Sequence, residues 1–139
     1  MPTSQEVNIL VVDDDEIDVK ALLRAFKKLK IANPVTVAKD GIEGWEAFQD
    51  LTRPYLIILD INMPRMNGIE LLGKIRASES YRDSVVFILT TSTDDEDKFA
   101  AYNLNAAGYM LKSDMGKSFI RAIEMIEQYW KVVEFPMPT

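Results

Sequence analysis

Cysteine and histidine are both missing from the 139 residues of the chain. Without cysteine the chain has no disulfide framework, no thiol nucleophile and no cysteine-ligated zinc site. Without histidine it has neither a histidine general base nor a phosphohistidine that could carry a phosphoryl group. Any chemistry at this protein must therefore use carboxylates, hydroxyl groups and amines.

Positive charge and long apolar runs are also scarce. The chain has 16 basic and 22 acidic residues, and its net charge of -6 argues against a non-specific grip on a nucleic-acid backbone. No apolar stretch approaches the roughly 20 residues of a membrane span. The opening segment MPTSQEVN lacks the basic start and apolar run of a secretory signal. We expect a soluble cytoplasmic protein that binds neither nucleic acid nor membrane.

The residues that are present are typical of one globular domain. The apolar fraction is 47% and the charged fraction is 27%, and a length of 139 residues leaves no room for a second folded module. Five apolar, β-branched runs predict five strands. They are VNILVV at 7–12, PVTVA at 34–38, YLIILD at 55–60, SVVFILT at 84–90 and GYMLK at 108–112.

Apolar residues recur at helical spacing between these runs and predict five helices. Two helices are expected at 40–51 and 94–103, and Thr93 with Glu96 matches a reciprocal capping box at the start of the second of these. The other three are marked by Ile17, Ala21, Leu22, Ala25, Phe26 and Leu29, by Ile69, Leu72 and Ile75, and by Phe119, Ile120, Ile123, Ile126 and Trp130.

Strands that are apolar throughout indicate a sheet covered by helices on both faces, and strict alternation indicates parallel strands joined by right-handed crossovers. The predicted fold is therefore a doubly wound α/β domain, in which ligands gather outside the carboxyl ends of the strands. The polar residues at those ends are Asp13, Asp14 and Asp15, then Asp60, then Thr90, Thr91 and Ser92, and finally Lys112.

Each of these residues has an ordinary explanation when it is taken alone. A single aspartate at a strand end is usually a solvated turn residue or a helix cap, and Asp15 suits the role of a cap. Lys112 alone would be a surface lysine. Several carboxylates at one edge repel one another, however, unless a hard cation such as Mg²⁺ lies between them. Their joint placement beside Asp60 therefore favours a functional site.

The chain resembles the receiver domains of two-component response regulators, whose fold is that of the chemotaxis regulators. The resemblance rests on VVDD at 11–14, LDINMPRMNG at 59–68, LTTS at 89–92 and GYMLK at 108–112. It implies a flavodoxin-like domain of five parallel strands in the order 2-1-3-4-5 with five helices. We expect one receiver domain over residues 1–139, with a core at about 7–131 and a C-terminal extension at 132–139.

The resemblance also implies a role for the acidic residues. Asp60 would be the phosphoacceptor, a carboxylate nucleophile that attacks the phosphorus of a phosphohistidine on a histidine kinase. Asp14, Asp60 and the backbone carbonyl of Asn62 would hold Mg²⁺, and Asp13 would reach the ion through water. Such a protein is not an enzyme in the usual sense, because it catalyses only its own phosphorylation and dephosphorylation.

Four further residues would respond to the phosphoryl group in a receiver. Lys112 would pair with it as a compact charge on a flexible stem. The backbone of Thr91 would contact it, and the Thr90 hydroxyl would hydrogen-bond to one of its oxygens. Tyr109, at the family's aromatic position, would then turn toward the core. Phosphorylation would thus shift a population between two states, with helix four, strand five and helix five carrying the signal.

Three positions depart from the family's usual pattern. Asn67 replaces an aspartate before the glycine of a turn, and we expect the turn to survive because asparagine tolerates left-handed geometry. Ser113 follows Lys112 where the family commonly has a proline, and the bond before that proline is often cis. A cis bond before serine is costly, so the isomer of the Lys112–Ser113 bond stays open. Thr91 is bulkier than the usual alanine or serine, which would slow access to the phosphorylated site.

The C-terminal segment EQYWKVVEFPMPT is rich in apolar and aromatic side chains. Together with LTTS and the Lys-Ser step, it resembles the stand-alone receivers that serve cyanobacterial phytochrome histidine kinases. That resemblance suggests a phytochrome-type kinase as partner and a homodimer through helix five and the tail. The alternative is that Trp130 completes the buried face of helix five. Because eight residues follow Lys131, we expect the output to pass through a separate protein.

Three other functions compete with this hypothesis. A dehalogenase-superfamily phosphatase also forms an aspartyl phosphate with Mg²⁺, but it needs an acid two residues after the nucleophile, where this chain has Asn62. A flavin or nucleotide carrier would need a glycine-rich phosphate cradle after the first or fourth strand, and those loops have none. A degenerate receiver would act as a constitutive protein-binding module, but it would not be expected to retain all the site residues together.

Overall fold

The computed structural model describes residues 7–112, 117–132 and 135 of the chain. Five strands alternate with five helices in this part of the chain. The strands are β1 (Asn8–Val12), β2 (Val35–Ala38), β3 (Tyr55–Leu59), β4 (Val85–Thr90) and β5 (Gly108–Leu111). The helices are α1 (Glu16–Lys28), α2 (Gly41–Asp50), α3 (Gly68–Ala77), α4 (Asp95–Asn103) and α5 (Lys117–Val132). Every predicted strand is present, with bounds within one residue of those predicted.

The five strands form one parallel sheet in the order β2-β1-β3-β4-β5, and the predicted doubly wound fold is therefore confirmed. The chain places β2 on one side of β1 and then crosses back to place β3 on the other side. This reversal opens a crevice at the carboxyl ends of β1 and β3, which is where such folds bind their ligands.

Two apolar clusters cover the two faces of the sheet, and all five residues of β3 are buried. Burial on both faces explains why the central strands β1, β3 and β4 are apolar almost throughout, whereas the edge strands β2 and β5 keep exposed positions such as Val37 and Leu111. The cluster on one face includes Leu10, Ile57 and Ile88 with Phe48 of α2 and Leu72 of α3. The cluster on the other includes Ile9, Ile58 and Phe87 with Phe26 of α1 and Ile123 of α5.

The caps of α1 and α4 test two of the predictions. Asp15 caps α1 as predicted, because its carboxylate accepts hydrogen bonds from two amides of the first turn at 2.9 and 3.1 Å. The predicted capping box of Thr93 and Glu96 at α4 is wrong. Asp94 is the cap, and its carboxylate accepts from the amide of Glu96 at 2.8 Å. Aspartate is a strong cap, so the helix begins one residue later than the hydroxyl pattern suggests.

The turn before α3 survives, but not through left-handed geometry at Asn67. Asn67 has φ of −78° and caps α3, and its side-chain oxygen accepts from the amide of Glu70 at 2.9 Å. In return, the Glu70 carboxylate accepts from the backbone amide of Asn67 at 3.1 Å. The left-handed residue of this loop is Arg65, with φ of 64°. Asparagine therefore replaces aspartate here as a helix cap, a role that both residues fill well.

The end of α5 packs against the core. Trp130 is 7% exposed and belongs to the apolar cluster that lies between the sheet and helices α1 and α5. The ring of Tyr129 stands edge-on to Phe87 at 5.0 Å between centroids, and Phe135 lies 6.4 Å from Tyr129. The alternative in which Trp130 completes the buried face is therefore confirmed. Ser113, with its peptide bond to Lys112, lies outside the described residues, as does most of the extension after residue 132.

In the described part of the chain, no helix combines the length and the apolar character needed to cross a membrane.

Candidate functional site

A group of carboxylates lies at the carboxyl edge of the sheet, where β1 and β3 end. The amides of Asp13 and Asp60 donate to the carbonyls of Ala38 and Val12, both at 2.9 Å, so the strand ladder continues past each strand and fixes both residues. Asp13 and Asp60 are each 6% exposed, whereas Asp14 is exposed to solvent. One oxygen from each of these three aspartates lies within 4.8 Å of the other two.

This set of oxygens fits a hard divalent cation. Mg²⁺ prefers carboxylate oxygens and keeps several waters, which suits a site with two buried carboxylates and one that faces solvent. Asp14 and Asp60, the two side chains predicted to hold Mg²⁺, both belong to this set, and their role as ligands stays a prediction. Asn62, which would offer its backbone carbonyl, follows Asp60 by two residues, and its role as a ligand stays a prediction.

Lys112 brings positive charge into the cluster. Its amide donates to the carbonyl of Thr90 at 2.8 Å, and the residue is 4% exposed. The Nζ atom donates to Asp13 at 2.5 Å, to Asp18 at 2.9 Å and to Asp60 at 3.0 Å. The sequence placed Lys112 at the same sheet edge as Asp60 and paired it with the phosphoryl group, but it did not indicate a contact with Asp18. Asp18 could have been suspected from its position, because it lies in the first turn of the helix that follows Asp13, Asp14 and Asp15.

Burial and charge act in opposite directions on Asp13 and Lys112. Burial raises the pKa of the Asp13 carboxyl to about 6, and the nearby charge of Asp60 adds to this, although hydrogen bonds from Lys112 and from a backbone amide oppose it. Burial by itself lowers the pKa of Lys112, but its hydrogen bond to Asp13 and the charge of Asp60 raise it above its ordinary value. Lys112 is therefore cationic at neutral pH.

The two predicted switch residues contact the same peptide segment after β4. Thr90 is fully buried, and its Oγ1 accepts a hydrogen bond from the amide of Ser92 at 3.3 Å. The hydroxyl of the half-buried Tyr109 donates to the carbonyl of Ser92 at 3.0 Å. The Ser92 hydroxyl in turn donates to Asp97 at 2.7 Å, while Thr91 is exposed. Ser92 thus links Thr90 to Tyr109, which the sequence pattern did not show.

The loop after β3 is held by two close backbone approaches. The amide of Gly68 donates to the carbonyl of Ile61 at 2.9 Å, and a Cβ at Gly68 would lie only 2.0 Å from the carbonyl oxygen of Asp60. The amide of Gly41 donates to the carbonyl of Met66 at 2.9 Å. Only glycine allows the first of these approaches, so the strand end that presents Asp60 depends on it.

A family profile described as the response regulator receiver domain matches residues 9–124. The chain belongs to this family. The matched segment contains β1 from its second residue onward, the whole of β2 to β5 and the carboxylate site, so the resemblance drawn from the sequence motifs is confirmed.

Relatives match this receiver over nearly its whole length. It is 31% identical over 131 residues to the probable methanogenesis regulatory protein FilR2 of Methanothrix harundinacea, covering 88% of this chain and 82% of FilR2. It is 29% identical over 128 residues to response regulator Rcp1 of Synechocystis sp., covering 88% and 87% of the two chains.

Two solved structures show the same likeness. Phosphorylated RcpA, a cyanobacterial phytochrome response regulator, gives a TM-score of 0.84 at 26% identity, covering 95% of this chain and 99% of RcpA. The Mn²⁺-bound form of Rcp1 gives a TM-score of 0.81 at 28% identity, covering 94% and 99% of the two chains. This receiver is therefore similar to stand-alone receivers such as Rcp1 and RcpA.

An ion pair ties the β3–α3 loop of the receiver to α2. The Nε and Nη2 atoms of Arg65 lie 2.8 and 2.6 Å from Oδ2 of the buried Asp40. Oδ1 of Asp40 accepts from the amide of Glu43 at 2.9 Å and so caps α2. The amide of Glu43, together with the Arg65 guanidinium, holds the pKa of Asp40 below its usual value against the opposing effect of burial.

We expect this pair to make the stability of the receiver depend on pH in acid. Because the folded-state pKa of Asp40 lies below 3.8, its stabilising effect is complete above pH 3.8 and is lost as the pH falls through the folded-state pKa. Asp40→Asn keeps a good helix cap but loses the charge, so its free energy of unfolding at neutral pH should fall by about 1 kcal/mol.

Urea denaturation of Asp40→Asn and wild type at a series of pH values measures this effect. The difference between them should shrink to zero in acid, and Arg65→Gln should reproduce part of the same pH profile. A difference that stays constant as the pH falls would contradict the assignment to the Asp40 charge.

Proposed function

We propose that this receiver is a single-domain response regulator that accepts a phosphoryl group on Asp60 from a histidine kinase. The observation that carries the proposal is the setting of Asp60, a carboxylate that is 6% exposed at a strand end and lies 3.0 Å from the Lys112 ammonium. A nucleophile that is fixed by a buried strand and faces a cation is suited to attack on phosphorus.

The residues around Asp60 account for the transfer chemistry. A carboxylate oxygen of Asp60 would form a bond to phosphorus while the bond from phosphorus to the donor nitrogen breaks, and the donor imidazole would keep that electron pair. Lys112, now hydrogen-bonded to Asp60, would turn one donor toward a phosphoryl oxygen. Positioning and electrostatic stabilisation supply most of the rate in such transfers, and both are built into this strand end.

Asp14, Asp60 and the backbone carbonyl of Asn62 would hold Mg²⁺, and Asp13 would reach the ion through water. When bound, the ion would neutralise charge on the phosphoryl oxygens. The exposed Asp14 leaves the site open to solvent, while the buried Asp13 and Asp60 keep two oxygens in fixed positions. The similarity to Rcp1, which has been solved in a Mn²⁺-bound form, supports a divalent cation for this receiver.

The signal would leave the site through the loop after β4. A Thr90 hydroxyl that turns toward a phosphoryl oxygen would give up its 3.3 Å contact with the Ser92 amide. Because the Ser92 carbonyl accepts from Tyr109, movement of this loop would also release or move the tyrosine. The loop after β4 would thus have two positions, and the phosphoryl group would hydrogen-bond to Thr90 in only one of them. Such a difference in interaction between two states is what shifts the population from one to the other. Helix α4, β5 and α5 would then present the changed surface.

The proposed partners are a phytochrome-type histidine kinase upstream and a separate protein downstream, both met in the cytoplasm. The similarity to RcpA, a phytochrome response regulator, supports the choice of kinase. A homodimer through α5 and the C-terminal segment belongs to the same proposal. The phosphatase alternative has no support at this site, because the residue two positions after Asp60 is the amide Asn62 rather than an acid.

Intact-mass measurement after incubation with acetyl phosphate and Mg²⁺ tests the proposed function. We expect the wild-type protein to gain one phosphoryl group and to gain none when a chelator removes the metal. If no mass is gained from acetyl phosphate or from phosphorylated kinases, the phosphoacceptor function is wrong. The chain would then be a constitutive binding module with a receiver fold.

A further inference from the structure

The ammonium of Lys112 uses all of its donors on carboxylates. A lysine ammonium has three N–H groups, and they meet Asp13 at 2.5 Å, Asp18 at 2.9 Å and Asp60 at 3.0 Å. Two of these partners directly follow β1 and β3, whereas Asp18 belongs to the first turn of α1. The lysine is therefore held from the helix as well as from the sheet.

Asp18 differs from the other two partners in what else it could bind. Asp13 and Asp60, with Asp14, form the group of oxygens suited to a cation, and Asp18 lies outside that group. Asp60 is also the residue that would be modified. A bound cation and a phosphoryl group would both compete for the lysine's contacts with Asp13 and Asp60, but neither would engage Asp18.

Asp18 is not needed to build the start of α1. The cap of this helix is Asp15, whose carboxylate accepts from the amides of Ile17 and Asp18. The Asp18 side chain is 20% exposed, and one of its oxygens accepts a hydrogen bond from Lys112, which is 94 positions away in the sequence. Its neighbour Glu16 carries the same charge in the same helical turn and is exposed.

We propose that Asp18 is a positioning residue that holds the Lys112 ammonium beside Asp60 during phosphoryl transfer. This inference rests on the proposed function. The lysine side chain has four rotatable bonds, so an anchor that persists while its other partners change keeps its charge close to the reacting oxygens. Without Asp18 the ammonium loses a charged partner and samples positions away from the phosphoryl group.

The rate of phosphorylation in Asp18→Asn tests this role, measured by intact mass with acetyl phosphate at saturating Mg²⁺. We expect the maximal rate to fall about tenfold, which corresponds to one charge-assisted hydrogen bond lost from the transition state. The half-saturating Mg²⁺ concentration should change by less than about threefold, since Asp18 lies outside the cation site. Glu16→Gln, which removes the same charge from the same turn, should stay within about twofold of wild type.

Asp18→Glu restores the carboxylate and should recover most of the lost rate, a result that a purely structural role would not produce. A second readout is the NMR signal of the Lys112 ammonium, which should be protected from exchange in wild type with Mg²⁺ bound. The same signal should be lost in Asp18→Asn and kept in Glu16→Gln.

The failures of the two proposals are distinguishable. A wild-type protein that takes up no phosphoryl group overturns the proposed function. A wild-type protein that is phosphorylated at the same rate as Asp18→Asn overturns the role of Asp18, and so does a Lys112 signal that is unprotected in wild type. If Asp18→Asn does not fold, the wild-type NMR signal and Asp18→Glu decide the matter.

Discussion

Asp60→Asn should take up no phosphoryl group from acetyl phosphate and Mg²⁺, under conditions in which the wild-type protein takes up one. The amide keeps the shape of the carboxylate at the end of β3, where the residue is 6% exposed, so the fold should persist. It lacks the nucleophilic oxygen, and it removes one of the three carboxylates suited to Mg²⁺. Added Mg²⁺ should therefore raise the melting temperature of Asp60→Asn much less than it raises that of the wild type.

Asp15→Asn is the matched control for this experiment. Asp15 is exposed at the same edge of the sheet, and asparagine caps a helix about as well as aspartate does. This variant should gain one phosphoryl group like the wild type. Full phosphorylation of Asp60→Asn would contradict the assignment of the acceptor, and loss of phosphorylation in Asp15→Asn would show that any carboxylate at this edge matters.

Gly68→Ala should destabilise the protein more than any other small substitution considered for this site. The added Cβ would lie 2.0 Å from the carbonyl oxygen of Asp60 and 2.9 Å from two further backbone atoms, so the backbone itself must move. We expect the free energy of unfolding to fall by about 3 kcal/mol or more, which lowers the melting temperature by roughly 10 °C. Phosphorylation should fall with it, because the displaced backbone carries the nucleophile.

Gly73→Ala separates this clash from a general effect of adding a methyl group to α3. In the part of the chain that the structure describes, a Cβ at Gly73 of the same helix would meet no atom within 4 Å apart from its chain neighbours and the backbone of its own helix. Alanine is the better helix former, so this variant should be more stable than wild type by up to about 1 kcal/mol and should be phosphorylated normally. Equal melting temperatures for Gly68→Ala and wild type would contradict the tight approach of α3 to Asp60.

The fold could be predicted from the sequence because its strands and helices have distinct patterns. A strand such as β3 is apolar at every position since it is buried on both faces, and that pattern alone favours a covered parallel sheet. The caps were less predictable. Thr93 and Asp94 are adjacent and both cap helices well, so local sequence did not decide between them.

The carboxylate site could be predicted because parallel strands end at the same edge. Asp13, Asp60, Thr90 and Lys112 lie at the carboxyl ends of four different strands, yet the topology brings them together. Contacts that depend on side-chain direction could not be predicted in this way. The reach of Lys112 to Asp18 joins residues 94 positions apart and depends on where α1 begins.

The pair of Arg65 and Asp40 shows the same limit. The two residues are 25 positions apart, and the contact requires a left-handed backbone at Arg65 that its sequence does not favour. The link between Thr90 and Tyr109 through Ser92 was also invisible, because it uses backbone groups that every residue carries.

Chemical location of the phosphoryl group would test the role of Asp60 most directly. An acyl phosphate on aspartate is reduced by borohydride to homoserine, so peptide mapping after acetyl phosphate, Mg²⁺ and borohydride treatment identifies the modified position. We predict homoserine at position 60 and at no other aspartate. Homoserine at position 13 or 14, or none in a protein that has gained phosphoryl mass, would contradict the assignment of Asp60 as the phosphoacceptor.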